Sequence, residues 1–156
     1  MPGAPLSARI CPIAGALLLT LLAPVACSSE ETPTAAEAGQ TLRTHILQLL
    51  KERNAQNVTI TDPGGKDIPC GDGKAKQTFA ATAGDADLRT EPQIVKDALV
   101  GALNRVAAYR IVSDGFGDEP VEARNEATHT DLFLDAPARG RIRVAGRTDC
   151  LAEPEG

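Results

Sequence analysis

The 156-residue sequence predicts an α+β domain: two helices on one face of a mostly antiparallel sheet of four to five strands, ordered α-β-β-α-β-β-β, with one disulfide. Three observations carry that expectation. Two segments repeat apolar residues at helical spacing, each behind a Thr-led capping sequence. Several short segments rich in strand-forming residues lie between glycine and proline turns. Two cysteines, Cys70 and Cys150, are placed to close most of the domain into one loop.

Thr34-Ala35-Ala36-Glu37 has the form of a capping box, in which a hydroxyl and a carboxylate satisfy the free N–H groups at a helix start. It predicts a helix to about Asn54, with Leu42, Ile46, Leu49 and Leu50 on the buried face. The alternating run from Asn57 to Asp62 predicts a strand, stopped by Pro63-Gly64-Gly65. A second strand is expected from Lys74 to Thr82, with Ala75, Gln77, Phe79 and Ala81 sharing one side. Thr90-Glu91-Pro92-Gln93 is a second capping sequence with proline in the first turn, where a missing N–H costs nothing. That helix should reach Ala108 and bury Val95, Leu99, Ala102, Leu103 and Val106. Arg110–Ser113 reads as a strand, and strands over Thr128–Leu134 and Arg141–Thr148 flank a turn-rich loop that suits a hairpin. Each half thus opens with a Thr-led helix and passes to a short strand that ends in Asp before glycine, which suggests two α-β-β units.

The first 26 residues carry no acid and a single base, Arg9, and run almost wholly apolar from Pro12 to Ala26. A short basic start, an apolar centre and small terminal residues are the marks of a secretory signal peptide. As a membrane span it would be marginal, since about 20 apolar residues are needed and Pro24 interrupts this run. The expected layout is a signal peptide over 1–26, an anchor residue and polar tether over 27–33, one domain over 34–151 and a tail over 152–156.

Val25-Ala26-Cys27 resembles a bacterial lipobox, in which small residues precede a cysteine that receives a diacylglyceryl group before cleavage. The resemblance covers about four residues, and Pro24 stands where an aliphatic residue is typical. It implies lipidation at Cys27. Ordinary cleavage after Ser28, with Ala26-Cys27-Ser28 as the small-x-small site, is the competing reading. Each buried methylene contributes about 0.8 kcal/mol, so two or three acyl chains would hold the protein firmly on a bilayer. Of the four cysteines, Cys11 would leave with the leader and Cys27 would be acylated, which leaves Cys70 and Cys150 to pair in an oxidising compartment. Closing a loop of this size contributes about 4.5 kcal/mol at most in the chain-entropy picture. The domain needs that help, because Leu, Ile, Val and Phe make up only about a fifth of the mature chain.

A net charge of −5 argues against general nucleic-acid binding. Ser113 is the only serine beyond the tether and lacks a nucleophile-elbow context; His45 and His129, the only histidines, fall in no metal-binding pattern. Gly64-Gly65-Lys66 and Gly71-Asp72-Gly73-Lys74 lack phosphate-loop spacing, and Asp114, Asp118 and Glu119 lack that of an EF-hand. No catalytic residue, cofactor or metal is therefore expected, and the chain reads as non-enzymatic. One surface feature remains. Arg139, Arg141, Arg143 and Arg147 share parity, so an unbroken strand would present them on one face as a partner surface for an envelope protein or polymer. The competing expectation is that Asp131 and Asp135 pair with them across the hairpin, or that Gly146 introduces a bulge.

The succession of lipobox cysteine, first helix, central Cys70, second helix from Glu91 to Ala108 and late Thr148-Asp149-Cys150 resembles the mycobacterial LppA-type lipoproteins, small actinobacterial envelope proteins. A preference for Arg over Lys, 11 against 5, fits such a high-GC source. The resemblance implies membrane attachment at the extracytoplasmic face and a disulfide-stapled α+β domain, and it implies no reaction. The function expected is a membrane-anchored binding or accessory module; the alternative is a carrier of a small apolar or lipid ligand.

Overall fold

A computed structural model describes residues 32–153. The expected signal peptide over 1–26, Cys27, most of the expected tether and the last residues of the tail lie outside the described residues. Two helices, α1 (Ala35–Glu52) and α2 (Pro92–Leu103), accompany nine strands: β1 (Gln56–Asp62), β2 (Ile68–Gly71), β3 (Lys74–Lys76), β4 (Thr78–Gly84), β5 (Arg110–Ser113), β6 (Val121–Asn125), β7 (Thr130–Asp135), β8 (Arg141–Thr148) and β9 (Leu151–Ala152). The strands form a six-stranded antiparallel sheet, β1-β4-β8-β7-β6-β5, and a small sheet, β2-β3-β9. The pairs β1-β4 and β5-β6, each following a helix, occupy opposite ends of the large sheet, and the β7-β8 hairpin closes its centre.

Helix α1 opens on the expected capping box. Thr34 Oγ1 accepts from the Glu37 N–H, and the Glu37 carboxylate accepts from the Thr34 N–H at 2.8 Å, which holds that carboxyl below its usual pKa. Its buried face carries Leu42, Ile46, Leu49 and Leu50 and rests on β4 and β8, while α2 rests on β7 and β8. Together they cover Phe79 and Ala81 of β4, Leu132 and Leu134 of β7, Val121 and Ala123 of β6, and Ile142 and Val144 of β8. Gly146 allows α1 to approach β8 closely. A Cβ there would lie 2.5 Å from Leu42 Cδ1 and 3.0 Å from Leu132 Cδ2. A smaller core of Ala35, Ala38, Ala75 and Leu151 joins the start of α1 to the small sheet. The disulfide Cys70–Cys150 ties β2 to the residue just before β9, across a sequence separation of 80.

The structure corrects the sequence expectations in five places. Three strands are additional. β2 and β9 are short and lean on the disulfide, whereas β6 turns only Val121, Ala123 and Asn125 inward, a pattern poor in strand-forming bulk. The expected strand over Lys74–Thr82 breaks at Gln77 and is shared between the two sheets, although Ala75, Gln77, Phe79 and Ala81 are all buried. Gln77 sits beneath Gly39 and donates to Asp67 Oδ1 at 2.8 Å, and this buried amide is what the break accommodates. Helix α2 ends at Leu103 rather than Ala108, and its cap is Glu91, without a side-chain hydrogen bond; Thr90 instead donates to the Asp87 carbonyl. His129 precedes β7 in a left-handed turn at φ 54° rather than alternating within a strand. Finally, β8 pairs with β4 and β7 in unbroken register through Gly146, so no bulge forms.

Candidate functional site

Because both helices lie on one side, the other face of the large sheet is open, and the β-strand period of two decides what it shows. Residues Arg141, Arg143, Ala145 and Arg147 of β8 stand there beside Asp131, Phe133 and Asp135 of β7, and beside Glu122 and Arg124 of β6. The parity expected for the arginines therefore holds for Arg141, Arg143 and Arg147. Arg139 lies in the β7–β8 turn and reaches Glu91.

The stripe is not bare positive charge. Arg143 is paired with Asp135, its direct cross-strand partner, and Arg147 Nε lies 3.4 Å from Asp131, its own cross-strand partner. Asp131 also accepts from Arg124 Nη1 at 3.0 Å, and Arg124 Nη2 donates to both Asp149 carboxylate oxygens, Oδ1 at 3.0 Å and Oδ2 at 2.9 Å. His129 Nδ1 closes the row on Asp149 at 3.1 Å. Asp131 first, then Asp149, raise the Arg124 pKa and hold the guanidinium charged. Arg147 also lies over the Phe133 ring, 5.2 Å from its centroid. The side chains of Arg143 and Arg147 are 57% and 49% exposed while those of Asp135 and Asp131 are 8% and 14% exposed, so these are partly buried pairs screened from their solvent side. Their effect is to fix the direction of each guanidinium rather than to hold the fold.

Arg141 differs. It makes no ion pair among the described residues, and it lines a recess of about 420 Å³ with Asn57, Thr59, Thr82 and Leu88. A second, smaller recess of about 160 Å³ lies between Val112 and the Arg124–Asp131–Arg147 group.

A second row of polar contacts runs from α1 to the sheet. His45 Nδ1 contacts the Tyr109 hydroxyl at 2.9 Å, Tyr109 contacts Thr130 at 2.8 Å, and Thr130 contacts Thr128 at 2.9 Å, a partly buried chain between α1 and the sheet. Burial lowers the His45 pKa and raises that of Tyr109, so both are neutral near pH 7. Ser113 ends β5; Asp72 lies in the turn of the small sheet, whereas Asp114 follows β5 at the edge of the large one. Among the described residues, no cluster of three or more His, Cys, Asp or Glu could hold a metal ion. No helix among them is long and apolar enough to cross a membrane. Sequence reasoning missed Arg124 and Asp149, the centre of the ion-pair row, because the strand that carries Arg124 was itself not foreseen.

Comparison with family models, with curated proteins and with solved structures finds no match to the chain.

Proposed function

We propose that the chain is an exported lipoprotein, anchored through acylated Cys27 at the extracytoplasmic face of the cell membrane, whose domain is a non-enzymatic binding module. The observation that carries the anchor is the order Val25-Ala26-Cys27 after an apolar leader, combined with a Cys70–Cys150 disulfide that engages the two domain cysteines and leaves Cys27 for lipid. The binding reading rests on the open sheet face. Its ion pairs hold Arg143 and Arg147 in fixed directions, and Arg141 is the stripe arginine with no carboxylate partner among the described residues, beside a recess. An anionic group on an envelope protein or polymer fits that position.

Metabolic labelling with an alkyne-tagged palmitate in the producing cell tests the anchor. The expected result is a labelled protein in the membrane fraction, with label and membrane retention both lost in Cys27→Ala. An unlabelled wild-type protein in the soluble fraction overturns it. For the surface, Arg141→Ala should weaken retention of the partner from membrane extracts nearly as much as replacement of all four arginines. Unchanged retention removes Arg141 as the contact.

A further inference from the structure

Helix α2 buries a lysine on its apolar side. Lys96 is 1% exposed, beside Val95 and Leu99, and its ammonium meets no carboxylate. Its three donors go to three backbone carbonyls of one loop: Gly115, Gly117 at 2.7 Å and Glu119 at 3.0 Å. Taking an ammonium out of water is costly, and it persists only where its donors are satisfied. What this arrangement secures is the shape of the connection between β5 and β6.

Two glycines make that shape possible. Gly115 and Gly117 have φ of 62° and 70°, in the left-handed region, and a Cβ at Gly115 would lie 2.4 Å from the Val121 nitrogen. Between the two anchored carbonyls the chain turns Phe116 outward. At 85% exposed, it is the most exposed large apolar side chain among the described residues. Asp114, Asp118 and Glu119 surround it, all exposed and none in an ion pair among the described residues. Three carbonyls of the loop, those of Gly115, Gly117 and Glu119, already accept from Lys96.

We propose that the Asp114–Glu119 loop is a preformed recognition finger, whose Phe116 ring enters an apolar pocket rimmed by Lys or Arg side chains on a partner protein. An aromatic ring held ready in the open is the type of side chain that anchors interfaces. A loop fixed from below loses little freedom when it docks. The carboxylates choose between surfaces: an anionic bilayer repels them, whereas a basic rim around a pocket attracts them. The finger belongs to the folded domain and does not depend on the lipid anchor or on the arginine face.

The test replaces Phe116 with p-benzoylphenylalanine in the full-length protein, irradiates the producing cells and maps the adducts by mass spectrometry. The expected adduct is on a partner protein, at a peptide whose apolar residues neighbour Lys or Arg. The same partner, purified, should bind the Phe116→Ala protein about thirtyfold more weakly, and binding should weaken further as salt is raised. Lys96→Met, if folded by thermal melting, should speed amide exchange over residues 115–119 and weaken binding; if it does not fold, Phe116→Ala alone decides. Adducts confined to lipid or to a second copy of this chain overturn the proposal. So does binding by Phe116→Ala within about twofold of wild type.

Discussion

The two faces of the large sheet come from the same strands, yet they hold different kinds of chemistry. Toward the helices, Leu132, Leu134, Ile142 and Val144 are fully enclosed. One residue along each strand, Asp131, Phe133, Arg143 and Arg147 stand in ion pairs and a cation–π contact at the surface. The enclosed face supplies stability through apolar area removed from water, and the open face sets the direction of charged groups at little energetic consequence. Residues free of a stabilising duty are therefore concentrated on the open face, where a partner can be met without cost to the fold.

Neighbouring substitutions on one strand sharpen this contrast most. Leu132→Ala should destabilise the domain by about 2–5 kcal/mol, whereas Phe133→Ala should cost under about 1 kcal/mol, measured by denaturant unfolding with the disulfide intact. Equal costs would break the distinction between the faces. A smaller difference is expected one step further along the hairpin. Gly146→Val must displace Leu42 of α1 and should cost about 1–3 kcal/mol; Ala145→Val points to the open face and should lie within about 0.5 kcal/mol of wild type. A tolerated Gly146→Val would mean that α1 does not rest where it is described.

The smallest effect is one of pH. Burial holds His45 below its ordinary pKa of 6.5, so the unfolded chain binds this proton more readily than the folded one. The stabilisation is complete above pH 6.5 and declines as pH falls below it, until the folded imidazole itself protonates. His45→Gln, which can keep a contact to Tyr109, should flatten the thermal midpoint between pH 7 and 5. Asp62 acts in a separate, more acid range. Hydrogen bonds from the Thr78 hydroxyl and the Gly64 N–H lower its pKa from 3.8, so its contribution fades only below that value. An unchanged slope in His45→Gln would show that His45 is not desolvated against Tyr109.

How much of this was legible in the sequence follows from how plainly each segment repeats. Strand β8 was read with its correct bounds because Ile142 and Val144 alternate with Arg141, Arg143 and Arg147. Helix α1 and the cysteine pairing were read for similar reasons, the one from its capping box and stripe, the other from arithmetic. Strand β6 escaped because Ala123 and Asn125 are weak markers of an inward face, and with it went Arg124. The break at Gln77 escaped because a buried amide and an exposed one look alike until Asp67 is brought to it by the fold. Lys96 is legible on the same principle: with Leu99 and Leu103 it falls at i, i+3 and i+7, which places a charge on the apolar side of α2, and two glycines follow in the next loop. The pairing of the arginine stripe was foreseen as one of two outcomes, since only the hairpin register could set Asp131 opposite Arg147 and Asp135 opposite Arg143.

Intact mass spectrometry of the protein extracted from its own membranes tests whether an oxidised domain is held there by acylated Cys27. The expected mass is that of a chain beginning at Cys27, carrying a diacylglyceryl group and lacking two hydrogens for the Cys70–Cys150 bond. A soluble chain that retains Met1 and has free thiols at Cys70 and Cys150 would contradict it.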